Sequence, residues 1–97
     1  MEKVINSYET LFIVSLENGE EAAKATVNKF TSLVAANAEI VMIDDWGKRR
    51  LAYPINDEME GHYCLMQFTS TPEFPAELDR VLKITEGVLR SLILTVE

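Results

Sequence analysis

The sequence predicts an α+β fold of the ferredoxin-like, split βαβ type: βαββαβ order, a four-stranded antiparallel sheet, and two helices on one face. Three observations predict it. Segments 8–16, 39–53, 61–69 and 88–96 are rich in β-branched and aromatic residues and alternate as strands do. Two stretches between them carry apolar residues at helical spacing instead. Those helical stretches fall after the first and third strands, which leaves a hairpin in the middle. Two right-handed crossovers then bring both helices to the same side.

Tyr8 to Leu16 forms the first strand, with Tyr8, Thr10, Phe12, Val14 and Leu16 facing the core as the longer, bulkier set. Asn18 is placed to cap a helix, with Glu21 three residues on as in a capping box. Ala23, Val27, Phe30 and Val34 then mark one helical face, which fades near Ala36-Asn37. Glu39 to Trp46 is the second strand, with Ile40, Met42 and Asp44 on one face and Val41 and Ile43 on the other. Gly47 allows a bulge, strand character returns over Arg50–Tyr53, and Pro54 weakens pairing because it has no N–H to donate. Asn56 to Glu60 is an acidic turn. Gly61 to Thr69 is the third strand, with Tyr63, Leu65 and Gln67 opposed to Cys64, Met66 and Phe68. Pro72 and Pro75 belong to a helix entry. Leu78, Val81 and Leu82 form its apolar stripe, Glu86-Gly87 ends it, and Val88 to Val96 is the fourth strand.

A chain of 97 residues suits one domain, residues 1–97, with a modest core and little room for a deep substrate cleft. Its 47% hydrophobic and 26% charged residues match a soluble globular chain. No apolar run exceeds four residues, against about 20 for a membrane span, and the first residues lack a signal-peptide pattern. A cytoplasmic protein with no membrane partner is therefore expected. The net charge of -7 argues against a generic nucleic-acid binder held by overall charge, though not against a local basic patch. Cys64 is the single cysteine, so it makes no internal disulfide and no metal pair. His62 is the single histidine and has no companion set for a catalytic base. The acidic clusters lack calcium-loop spacing, and no glycine-rich phosphate loop occurs. No catalysis, cofactor, metal or small-molecule substrate is expected.

Two features point to binding. An uncovered sheet face should be mostly polar, yet Leu11 and Ile13 alternate with Phe12 and Val14, and Leu89 and Ile93 alternate with Leu92 and Leu94. Leu11, Ile13, Leu89 and Ile93 are the candidate surface for a partner protein. Extra core beneath a loop, or a homodimer face, would explain the same pattern. The second feature is Lys48-Arg49-Arg50 beside Trp46 and Tyr53, with Arg80, Lys83 and Arg90 further on. On a strand Lys48 and Arg50 share one side and Arg49 takes the other. Arginine forks fit phosphate and nearby aromatics stack on bases. Cations that guard a strand edge, or that Asp44-Asp45 neutralises, are the plainer explanation.

The string Trp46-Gly47-Lys48-Arg49-Arg50-Leu51-Ala52-Tyr53-Pro54-Ile55 resembles the signature of the bacterial small-subunit (30S) ribosomal protein S-six family. Tyr8-Glu9, Gly61-His62-Tyr63, and Leu82-Lys83-Ile84 through Val88–Ile93 resemble other landmarks of that family in the same order. The resemblance spans about nine-tenths of the chain. It implies the split βαβ fold and a structural role in the small ribosomal subunit. It also implies binding of small-subunit ribosomal RNA in the central domain, the platform, together with the basic small ribosomal protein S-eighteen. An acidic surface would complement that partner. The resemblance makes Lys48, Arg49, Arg50, Arg80, Lys83 and Arg90 the candidate RNA contacts, with no C-terminal extension beyond Glu97. A ferredoxin-like ligand-sensing module or small dimeric enzyme is the alternative, and neither has a reason to carry the Lys48–Ile55 string.

Overall fold

A computed structural model describes residues 5–55 and 58–96. The elements are β1 (Asn6–Ser15), α1 (Glu20–Asn37), β2 (Glu39–Ile55), β3 (Glu58–Ser70), α2 (Phe74–Ile84) and β4 (Val88–Val96). All pairings are antiparallel and the strand order is β2-β3-β1-β4. This is the expected ferredoxin-like arrangement, with β2 and β4 at the edges.

Side-chain period two explains the core. Tyr8, Phe12 and Val14 of β1 share a face with Cys64, Met66 and Phe68 of β3, and all six are buried. Both helices close over that face. The helix α1 brings Ala23, Val27, Phe30 and Val34, and α2 brings Phe74, Leu78 and Leu82. Phe12 packs on Phe30 with ring centroids 5.5 Å apart, and Phe68 lies 5.7 Å from both Tyr8 and Phe74. Each such ring contributes about 1.5–3 kcal/mol by leaving water. Thr10 is buried among them, and its hydroxyl donates to the Leu92 carbonyl at 3.1 Å, so no polar atom is left wanting there.

Several boundaries differ from expectation. Asn18 does not cap α1. The turn closes instead through Gly19 N–H donating to the Leu16 carbonyl at 2.9 Å, and Gly19, at φ 94, stands at the cap in a conformation that favours glycine. Glu58–Glu60 belongs to β3 rather than to a turn, while Asn56 and Asp57 lie outside the described residues. The α2 helix carries Pro75 in its first turn, where a missing N–H costs nothing.

The β2 strand is broken three times in its register against β3: between Ile40 and Met42, between Asp45 and Gly47, and between Arg50 and Ile55. The first break corrects the expected faces. Ile40 pairs with Phe68 on the helix side, but after the bulge Met42 pairs with Gln67 on the other side. At the second, Gly47 takes φ 71 and its N–H donates to Asp45 Oδ1 at 3.0 Å, the bulge the glycine predicts. The third leaves Leu51–Pro54 without partners on β3, which suits a proline that has no hydrogen to give.

Candidate functional site: the open sheet face

The helices leave one sheet face uncovered, and its rows follow from the registers. Tyr63, Ile13 and Arg90 form one row across β3, β1 and β4. Leu65, Leu11 and Leu92 form the next, then Gln67, Glu9 and Leu94, then Thr69, Ser7 and Val96. The edge strand β2 adds Arg49 beside Gly61, Gly47 beside Tyr63, Asp44 beside Leu65, Met42 beside Gln67 and Glu39 beside Thr69. Trp46, freed by the bulge, stacks on Tyr63 with centroids 6.0 Å apart and planes 17° apart.

The middle of this face is apolar. Leu92 and Leu94 are half exposed, at 50% and 49%, with Trp46, Met42 and Val96 also open to solvent. A depression of about 200 Å³ is lined by Glu9, Leu11, Trp46, Leu65, Leu92 and Leu94. Glu9 Oε1 accepts a hydrogen bond from Gln67 Nε2 at 3.0 Å.

The four sequence-predicted partner residues are not on one surface. Leu11 is on the open face. Ile13 points the same way but is buried, beside Gly61, which the buried Leu51 also approaches. Ile93 is a correction: it pairs with Thr10 and packs against the helix-covered core. Leu89 sits in the bulge between the Ile13–Arg90 and Val14–Val88 pairs, half buried. The apolar residues that β4 gives to the open face are Leu92, Leu94 and Val96. The cation Arg90, two residues before Leu92, carried that signal, because a charged side chain marks the uncovered parity of a strand.

The six candidate cations do not gather on one ridge. Arg80 donates from Nε to Glu77 Oε2 at 3.1 Å, and Lys83 lies 2.9 Å from Asp79, both on α2 and away from the open face. That clasp lowers the Glu77 pKa, through the hydrogen bond from Arg80 first, and raises that of Arg80. Lys48 lies 3.7 Å from Glu60, and Arg50 pairs with Glu60 in the ladder, both on the side opposite Arg49. Arg49 and Arg90 are the two guanidinium groups on the open face. Each rests on an aromatic ring: Arg49 is 5.9 Å from the centroid of Trp46, and Arg90 is 5.4 Å from that of Tyr53. The unpaired Leu51–Pro54 stretch makes the second contact. It bends over the open face, so that Leu51 meets Gly61 and Tyr53 reaches across to β4.

His62 and Cys64 are structural here. His62 is buried, with Nε2 2.6 Å from Asp45 Oδ1 and without a hydrogen-bond partner among the described residues. Cys64 is fully buried, and burial pushes its thiol up to about 11, helped by the charges of Asp45 and Asp44. Such a thiol is inert. Among the described residues no group of three or more metal-ligating side chains occurs, and no helix is long and apolar enough to cross a membrane.

Comparison with known proteins accounts for the whole of this architecture. The family model of Ribosomal protein S6 matches residues 7–95. The chain belongs to the Ribosomal protein S6 family. It is 45% identical over 94 residues to the small ribosomal subunit protein bS6 of Clostridium novyi (strain NT), covering 96% of this chain and 99% of that protein. It is 47% identical over 91 residues to bS6 of Thermoanaerobacter pseudethanolicus, covering 93% and 96%. The crystal structure of 30S ribosomal protein S6 from Thermotoga maritima shares the fold, with a TM-score of 0.88 at 22% identity over 96% of this chain and 89% of that one. As an S6 protein the chain is a structural component of the small ribosomal subunit, not an enzyme, and its place is the ribosome in the cytoplasm.

Proposed function

We propose that this S6 protein binds small-subunit ribosomal RNA in the platform together with the basic ribosomal protein S-eighteen, and that its open sheet face divides the two tasks. One observation carries this reading: the face is polarised along its strands. Glu9, Asp44 and Glu39 occupy the end with Leu92, Leu94 and Val96, while Arg49 and Arg90 stand at the other end on Trp46 and Tyr53. An apolar and acidic surface suits a basic protein, whose opposite charge steers and orients docking. Guanidinium groups already held on aromatic rings lose little freedom when they meet phosphate. This explains how a chain of net charge -7 serves an RNA: most of its surface is not asked to touch phosphate.

The RNA edge is assigned to Arg49 and Arg90 on the open face, with Lys48 and Arg50 on the opposite side of the same edge strand β2 in a supporting part. Arg80 and Lys83 are given the lesser part, since each is neutralised within α2. These contacts position the RNA by its shape rather than by base identity. Filter binding to a platform RNA fragment in the presence of S-eighteen, across a salt series, tests the assignment. Arg49→Gln with Arg90→Gln should lower the salt slope by about 1.4–1.8, the share of two phosphate contacts. Arg80→Gln with Lys83→Gln should leave the slope nearly unchanged. An unaltered slope in the first pair overturns the assignment.

A further inference from the structure

We propose that the depression at Glu9 seats one long cationic side chain, an arginine or lysine, from the basic protein that covers the open face. The proposal rests on the reading that such a partner docks there, and it goes further by naming one site and one chemistry. Four observations support it. First, the space is of side-chain size: about 200 Å³, several times the ~30 Å³ share of a water and too little for a strand or helix. Second, its walls are Leu11, Leu65, Leu92, Leu94 and Trp46, which suit the methylene stem of a long side chain. Third, among the described residues Glu9 is the only ionisable group lining it. Gln67 holds Glu9 Oε1 and so orients the carboxylate, leaving Oε2 for a visiting donor. Fourth, the chain does not fill the seat itself. Among the described residues Glu9 makes no ion pair. On the same face, Arg90 pairs with Ile13, four residues from Glu9 or about 13 Å along β1, and is held on Tyr53. Arg49, opposite Gly61 in the ladder, is held on the ring of Trp46 and makes no ion pair with Glu9.

A carboxylate set among leucines is poorly solvated when a partner covers it, so covering it with an apolar surface would be costly. A cation that arrives with the partner removes that cost. The Glu9 site therefore selects a partner with a positive charge at one particular place, and the surrounding leucines supply contact area without that demand.

The test uses purified S-eighteen and isothermal titration against the full chain. Glu9→Gln keeps the shape and the acceptor for Gln67, so the fold should be undisturbed by circular dichroism. The expected result is about a tenfold weaker complex at low salt, with the deficit shrinking as salt rises. Scanning the arginines and lysines of S-eighteen to glutamine should then find one whose loss is tenfold with the parent chain and slight with Glu9→Gln. Leu92→Arg is the control for the face as a whole. If Leu92→Arg breaks the complex but Glu9→Gln binds as the parent does, the cation seat is wrong and the docking face stands. If Leu92→Arg binds normally, or if S-eighteen does not bind the parent chain, the docking face itself is wrong and the proposal falls with it.

Discussion

Gly61 is where three strands converge, and replacing it tests how the open face is built. A Cβ at Gly61 would lie 2.4 Å from Ile13 Cγ2, 3.5 Å from the Val14 carbonyl oxygen and 3.6 Å from Leu51 Cδ2. Carbon atoms prefer about 3.5–4.0 Å, so the first contact overlaps by more than about 1 Å. Cγ2 branches directly from the Cβ of a stiff side chain on a central strand, so the strain cannot be shed by swinging a flexible tip. Overpacking of this kind costs about 1–3 kcal/mol. For Gly61→Ala we expect about 2 kcal/mol, which for a chain of this size lowers Tm by roughly 8–16 °C. Urea titration should show the midpoint falling with the slope unchanged. The same substitution in an Ile13→Ala background should be neutral, or stabilising by about 0.5 kcal/mol, because the clashing methyl is gone and alanine restricts the unfolded chain. The coupling between the two sites is thus about 2 kcal/mol or more, with Ile13→Ala alone costing a cavity of its own. If Gly61→Ala melts with the parent, or costs as much without Ile13, the close approach of Ile13 to Gly61 is not what excludes a side chain there.

Four further outcomes follow from the same structure. Phe30→Ala should cost about 3–5 kcal/mol in urea titration, since Phe30 is fully buried against Phe12 between helix and sheet. Cys64, with its thiol raised from 9.0 to about 11, should be about 1% thiolate at pH 9 when folded and about half thiolate when unfolded; labelling at pH 9 should therefore follow unfolding, and a rate equal to that of a free peptide thiol would contradict the burial. Because the folded value is the higher one, stability linked to this thiol is complete below pH ~9 and declines as pH rises toward ~11, a decline that Cys64→Ala should lack. Trp46, the single tryptophan, lines the Glu9 depression, so adding S-eighteen should shift its emission to the blue and shield it from acrylamide; an unmoved spectrum with the complex formed would put the partner on another surface.

The sequence carried the element order, the helix-facing sides of β1 and β3, and the face of α1, because each rests on a local period that burial repeats faithfully. Tyr8, Phe12 and Val14, or Ala23, Val27, Phe30 and Val34, announce their side without knowledge of a neighbour. The Trp46–Ile55 string also identified the family from residues alone. The parity of β4 was not legible in the same way: Leu89 and Ile93 look as apolar as Leu92 and Leu94, and only pairing of Leu11 with Leu92, plus a bulge beside Ile13, decides which set faces out. The clasps of Arg80 on Glu77 and of Lys83 on Asp79 were legible as pairs three and four residues apart on one helix, but spacing could not say that Leu51–Pro54 would bulge out of register and carry Tyr53 to Arg90. Periodicity is a property of one strand or helix, so the chain by itself determined its elements and their buried sides. The open face is made where four strands meet in one register, and a shift of a single residue turns every side chain to the other face; that choice belongs to the tertiary structure.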